Sequence, residues 1–426
     1  MLSKKQTEFL KLVKQALVLQ LHPCFKVSTS DTELEIYILD LNYSAIQKMN
    51  LDKFYREYSG ERNRDKREKL LENFAALTTK PYVVPGTYQD AKRYLVPQII
   101  SRWDWERINL LIQKDEEGLP IEEQTDLWLP CMKFGPRSLV AVIALRTPAF
   151  KTLLTQDIFD GWGVSLEEVF AASTELLIKS GGVDVIKLPE YEATYCARCG
   201  DNNILARILN NDLFANLPVK GKPTLFDADK NRLFITGSDD ELGIKSGLQI
   251  FDETDGRFRK IPPIPIVFDN GELREFALPE NHPSYWEAKS LYVGYLGHLY
   301  TNQSWIIKKN SSQQLRYIAK YAEISDAQHR TFSATTLPEN ADGALVPEAD
   351  FIRFVRQRAE QEWEIVAMGK WDDVMKIVGH LFQDTDIYPP RYCLVNFPSD
   401  AELKAIGMNE MNDIASSSMA FREIWL

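Results

Sequence analysis

LVAVIALRTPAFKTLLTQDIFDGWGVSLEEVFAASTELLIKSGGVDVIKL, residues 139–188, is the stretch on which the fold turns. Its first eight residues are rich in Val and Ile, shorter than an ordinary helix, and bounded by Pro136 and Pro148, so they read as a buried strand. Ser165 then stands three residues before Glu168, the spacing at which a cap hydroxyl and an N3 carboxylate satisfy two orphan backbone donors. Leu166, Val169, Phe170 and Leu177 follow at helical intervals, with Ser173 on the same stripe, and Gly181-Gly182 ends the helix. VDVIKL (183–188) reads as a second strand.

Working outward, a helix can start at Asp201 or Asn202, whose side chains cap well, and bury Ile204, Leu205, Ile208, Leu209 and Leu213. Pro218, Gly221 and Pro223 break the chain before TLFDADKNRLFITGS (224–238), two apolar runs around a polar turn, which is a hairpin pattern. Residues 127–237 thus form one α+β module with little linker.

This order is a short apolar strand, then Trp162-Gly163 leading into a capped helix, then a Cys/Gly/Asp segment opening a helix before a Pro-bounded hairpin. It resembles the YtpQ-like family of bacterial proteins. LDKFYREYSGERNRDKREKLLENFAAL (51–77) and YLVPQIISRWDWERI (94–108) are similar to the start of those proteins, so the resemblance spans about residues 1–260. Its motifs are structural rather than chemical. The family has no established activity, so the resemblance implies a bacterial protein and assigns no catalytic residue. From about Pro279 the chain departs from the pattern.

At 426 residues the chain exceeds what one core ordinarily serves, and two or three domains are expected. We place them at 1–80 (an α+β subdomain), 81–265 (the module just described) and 283–426. No apolar run approaches the ~20 residues that cross a bilayer. FLKLVKQALVLQL (9–21) carries Lys11 and Lys14 inside its periodicity, which suits a packing helix and breaks a signal-peptide core. A cytoplasmic protein without a membrane partner is expected. Fifty basic against sixty-one acidic side chains, a net charge of −11, disfavour a nucleic-acid partner. The basic run RNRDKREK (62–69) also holds Asp65 and Glu68, so a solvated helix face is its plainer reading.

IPPIPIVFDNGELREFALPENHP (261–283) contains Asn270-Gly271 between apolar runs, a hairpin signal, and serves as an edge hairpin plus connector. Beyond it the spacing reads as helical over 284–300, 313–324, 351–366 and 371–382, with a polar loop at 333–346. Ser399 and Glu402 mark a short helix over 400–406 that Gly407 stops. The final run MAFREIWL (419–426) suits a docked terminal strand or the cut end of something longer. The expected fold class is therefore α+β, with a mixed N-terminal two-thirds and a mainly helical C-terminal region.

Motif chemistry is sparse. There is no G-x-S-x-G elbow, phosphate loop, H-E-x-x-H or G-x-G-x-x-G opening a helix. Asp269, Glu287 and Lys289 are the residue types with which a metal-dependent nuclease or hydrolase holds Mg²⁺ and orients water, at a loose spacing. Cys196-Ala-Arg-Cys199 could serve a zinc or thiol site, but His22, His282, His298, His329 and His380 stand alone and no second pair is visible. Two small buried residues are the plainer reading of that pair. Cys24, Cys131 and Cys393 are scattered, as in a reducing compartment. No cofactor is expected.

Between positions 339 and 402, thirteen carboxylates meet six basic side chains, a local net of −7. A solvated surface explains that plainly; an acidic docking face for a basic protein partner explains it more sharply. The favoured function is a non-enzymatic interaction or regulatory protein that binds and restrains a partner, one version being a component of a bacterial defence or stress-response operon. On this reading the exterior, rather than a reactive pocket, does the work.

Overall fold

The computed structural model of the chain describes residues 2–41, 43–112, 128–201, 203–210, 212–229, 231–253, 261–310, 317–359 and 362–408. Helix α1 (Lys4–Val18) opens the chain. The Ser3 hydroxyl accepts from the Gln6 amide, and the Gln6 side chain accepts from the Ser3 amide. Its stripe of Phe9, Leu10, Val13 and Leu17 is buried with the antiparallel sheet β1 (Lys26–Thr29), β2 (Glu35–Leu39) and β3 (Ala45–Asn50). Phe9 also packs on Phe54, Tyr55 and Tyr58 of α2 (Asp52–Gly60). Helix α3 (Arg64–Thr79) begins in the basic run, which is largely exposed; Arg64 pairs with Glu68 at 3.0 Å.

After the short α4 (Tyr88–Ala91), a second antiparallel sheet is built from β4 (Leu95–Ser101), β5 (Leu139–Arg146) and β6 (Lys151–Leu153), with α5 (Arg102–Ile112) between its first two strands. Leu139 to Leu145 are all buried because β5 is covered on both faces. Val140, Val142 and Ala144 join the core that includes Phe9 and Val169, while Leu139 and Ala141 join Ile99 in a core shared with the next sheet. Two covered faces are why the run is continuously apolar instead of alternating. Helix α6 (Gln156–Trp162) ends on Gly163 at φ 66°. Helix α7 (Leu166–Lys179) starts where Ser165 Oγ accepts from the Glu168 amide at 3.2 Å.

A six-stranded antiparallel sheet follows, built from β7 (Val183–Lys187), β8 (Tyr195–Cys199), β9 (Pro223–Asp229), β10 (Arg232–Gly237), β11 (Ile266–Asp269) and β12 (Glu272–Glu275), in the order β12-β11-β9-β10-β8-β7. Asn270 and Gly271 join the last two at φ 51° and 86°, the left-handed pair that a two-residue primed turn needs. The helix expected after the Cys pair is instead a 3₁₀ turn, Leu205–Leu209, followed by the one-turn α8 (Asp212–Ala215). Arg207 turns inward there to Asp201 at 2.9 Å and Ser180 at 3.2 Å, which tightens the segment. Asn202 lies outside the described residues. Helix α9 (Glu241–Glu253) covers the outer sheet face through Ile244 and Leu248, against Phe226 and Phe234.

Helix α10 (Tyr285–Asn310) runs 26 residues, ~39 Å at the standard rise, and joins this sheet to the C-terminal region. That region corrects the mainly helical reading. Among the described residues it holds β13 (Ala322–Ser325), β14 (Thr331–Pro338), β15 (Leu345–Pro347), β16 (Phe351–Ala359), β17 (Glu362–Lys370), β18 (Phe382–Asp384) and β19 (Arg391–Leu394), with only α11 (Trp371–Val378) and α12 (Asp400–Ile406) as α-helices beside them. The strands form two sheets, β13-β14-β16-β17 and β15-β19-β18.

Phe351 to Val355 are buried on both faces, Phe351 toward Trp286 and Phe332, Ile352 and Phe354 toward Val374 and Leu403. A strand covered twice shows no alternation, so its apolar positions also match a helical spacing; the aromatic and β-branched content was the better guide. The Ser and Thr of 331–336 are likewise mostly buried strand residues, not a polar loop. Helix α12 has the full Ser399/Glu402 capping box, and the run 419–426 lies outside the described residues. Among the described residues no helix is long and apolar enough to cross a membrane.

Candidate functional site

The residues singled out in the sequence do not assemble into one site. Asp269 ends β11 and is held by Lys222 Nζ at 2.9 Å. Glu287 and Lys289 lie two residues apart on α10, about 200° around a helix, so they point to different sides; Glu287 is exposed, and Lys289 turns inward to Asp350 at 2.8 Å. Cys196 and Cys199 sit three apart on a strand, not before a helix, which places their side chains on opposite sheet faces. Cys199 shares the core of Tyr195 and Ala197, and burial together with its bond to Asp201 raises its thiol pKa. Among the described residues no three His, Cys, Asp or Glu side chains come together as a metal ion requires.

What the fold does build is a cleft of about 750 Å³ where the six-stranded sheet, α10 and the C-terminal sheets meet. The inner face of α10 supplies its floor through Tyr285, Lys289, Tyr292, Leu296 and Tyr300, spaced at i, i+4 and i+7. One wall is the stretch around β12, with Glu275, Phe276 and Leu278; the other carries Tyr321, Ser333, Glu348 and Asp350; Tyr388 and Pro390 close one end. Ionisable and aromatic groups thus converge on a concave site.

Local sequence places these groups. Gly135, at φ 134°, passes so close to β12 that an added Cβ would stand 2.0 Å from the Leu273 carbonyl oxygen. That approach lets the Ser138 amide donate to Glu275 Oε1 at 2.8 Å and brings Arg137 to Glu348 Oε2 at 3.5 Å, an oxygen that also accepts from the Tyr392 hydroxyl at 3.0 Å. Asp350, just ahead of β16, takes the Ser333 amide and hydroxyl on one oxygen at 2.8 and 2.9 Å, and Lys289 on the other. The Lys289 ammonium in turn lies 5.0 Å from the centre of the Phe332 ring and 5.8 Å from that of Trp286, an internal cation held by rings and a carboxylate.

Burial sets the protonation of the phenols. Desolvation raises Tyr292, Tyr321 and Tyr388 well above the ordinary range, so their hydroxyls stay protonated. Tyr388 is 2% exposed, and its Oη interacts with the Tyr292 hydroxyl without forming a hydrogen bond of ordinary geometry. The Tyr388 amide donates to Glu106 Oε2 of α5 at 2.8 Å. Burial pushes the Glu106 carboxyl up to about 7, against the lowering pull of that amide and of Arg102.

No known protein family, curated protein or solved structure matches the chain. Of the cleft residues, sequence reasoning singled out Lys289, counted Glu348 and Asp350 within the acidic stretch 339–402, and missed Glu275, Tyr292 and Tyr388. One signal was there to find: a stripe of tyrosines on α10 with a lysine embedded in it.

Proposed function

We propose that the protein is an interaction protein that seats a segment of a partner chain in the cleft beneath α10, and so holds or restrains that partner. What carries this reading is the convergence of aromatic rings, carboxylates and an unpaired hydroxyl on one concave site between the central sheet and the C-terminal sheets. Rigid aromatic groups in a partly desolvated pocket are the usual anchors of binding. The carboxylates of the cleft suit a basic segment, in keeping with the local negative charge of 339–402.

The test blocks the cleft from its rim. Ala277 lines it and is exposed, so Ala277→Trp fills the site without disturbing a core. A stoichiometric partner should copurify with the wild-type chain and be lost with Ala277→Trp. Equal capture by both proteins, or no stoichiometric partner for either, would sink the reading.

A further inference from the structure

We propose that the Glu275 end of the cleft is a binding site for a single primary ammonium or guanidinium group, so that the anchor taken from a partner is a lysine or arginine side chain. This rests on the reading of the cleft as a partner seat and names what that seat recognises. Three observations carry it. Glu275 spends one oxygen on the Ser138 amide and has no cation within ion-pair distance among the described residues, whereas Glu348 and Asp350 each have one. Tyr388 Oη, almost fully buried at the same end, meets only the Tyr292 hydroxyl, without a well-formed hydrogen bond to it.

The opposite end shows the same chemistry already filled. There Lys289 sits between Asp350 and the rings of Tyr285, Trp286 and Phe332. The chain thus pairs Lys289 with Asp350 and Arg137 with Glu348, and leaves one oxygen of Glu275, beside the phenols, without a cation among the described residues. An anionic ligand would meet the uncompensated Glu275, and an apolar one would leave the Tyr388 hydroxyl unpaired. A cation with N–H donors answers both: Glu275 and the phenol oxygens accept its hydrogen bonds, and the tyrosine rings face its charge.

Calorimetric titration of the full chain tests this with n-butylammonium, a short peptide holding one central lysine, the same peptide acetylated on that lysine, and acetate. The lysine peptide and butylammonium should bind; acetylation of the lysine should weaken binding about tenfold or more, and acetate should not bind. Glu275→Gln keeps an acceptor for Ser138 and should weaken the lysine peptide about tenfold, and Tyr388→Phe about threefold. Should Glu275→Gln fail to fold, Tyr388→Phe alone decides. Equal binding of the acetylated and plain peptides overturns the cation site while leaving the cleft as a partner seat. Butylammonium binding that depends on Glu275, with no peptide binding, supports the cation site and overturns the partner reading.

Discussion

Two groups of polar side chains packed along α10 stand in opposite states. In one, every nitrogen of Arg391 is used: Nε to Gln303 Oε1 at 2.6 Å, Nη1 to the Ala319 and Leu345 carbonyls at 3.0 and 3.1 Å, and Nη2 to Ser304 Oγ at 2.9 Å. The guanidinium lies over the Tyr300 ring at 5.0 Å, is fully buried, and is held down to about 10 by that burial. In the other group, Glu275 has no countercharge among the described residues, and Tyr388, packed on Tyr295 and Leu299, has a hydroxyl without a well-formed hydrogen bond. Native interiors satisfy their buried polar groups, so a saturated cluster marks structure and an unsaturated one beside a cavity marks a site.

The comparison breaks most directly at its saturated end. Arg391→Met removes the donor from several buried acceptors at once while keeping most of the side-chain volume. We expect a loss of about 3 kcal/mol or more in urea denaturation. A loss below about 1 kcal/mol would mean that the cluster is not what ties α10 to the C-terminal sheets.

Next in size is a pH dependence at the hinge between the two regimes. Glu106 holds the Tyr388 backbone and is 15% exposed. Its folded pKa, about 7, lies above its ordinary value of 4.5, so the native state binds the proton more tightly than the unfolded chain. Stability from this group is fully present below about 4.5, falls as pH rises toward about 7 and is level above, a change on the order of 2–3 kcal/mol. Glu106→Gln keeps an oxygen for the Tyr388 amide and should remove that slope. Denaturation midpoints with the same pH slope in both proteins would refute the assignment.

The difference between the two groups also explains what the sequence could and could not show. Elements read from local chemistry stand where the residues put them: Ser165 caps α7, Asn270-Gly271 turns a hairpin, and Ser399 with Glu402 opens α12. Periodicity failed at β16, where two covered faces erase alternation. The cleft was invisible for a related reason. Glu275, Lys289, Asp350 and Tyr388 come from separate elements, and only the folded chain gives Lys289 a partner and leaves Glu275 without one. The Asp269, Glu287 and Lys289 set was read from residue types alone; Asp269 pairs with Lys222, Lys289 pairs with Asp350, and Glu287 points to another side of α10.

A smaller effect sharpens the contrast within the cleft itself. Lys289→Met keeps the aliphatic stem among the rings but leaves one oxygen of a half-buried Asp350 without its cation. We expect a loss of about 1–2 kcal/mol. Lys289→Met, Asp350→Asn should recover part of it, because the pair then carries no unmatched charge. No recovery in the double variant would show that the lysine acts by packing alone.

The last prediction has the opposite sign. Tyrosine to phenylalanine in a core ordinarily costs about 1 kcal/mol, because a hydrogen-bonded hydroxyl is lost. Tyr388 Oη has no such bond to lose, and keeping it desolvated is itself unfavourable. Tyr388→Phe should therefore raise the urea midpoint, by an amount on the order of 1 kcal/mol, with the slope unchanged. Tyr82, whose hydroxyl donates to Gln47 at 2.6 Å, is the control, and Tyr82→Phe should be destabilising. If both variants lose stability alike, the Tyr388 hydroxyl is satisfied in solution, and the two polar groups along α10 do not differ in the way that makes one of them a site. A gain at Tyr388 alone would show a group kept at a cost to the fold, which is what a residue retained for a ligand should display.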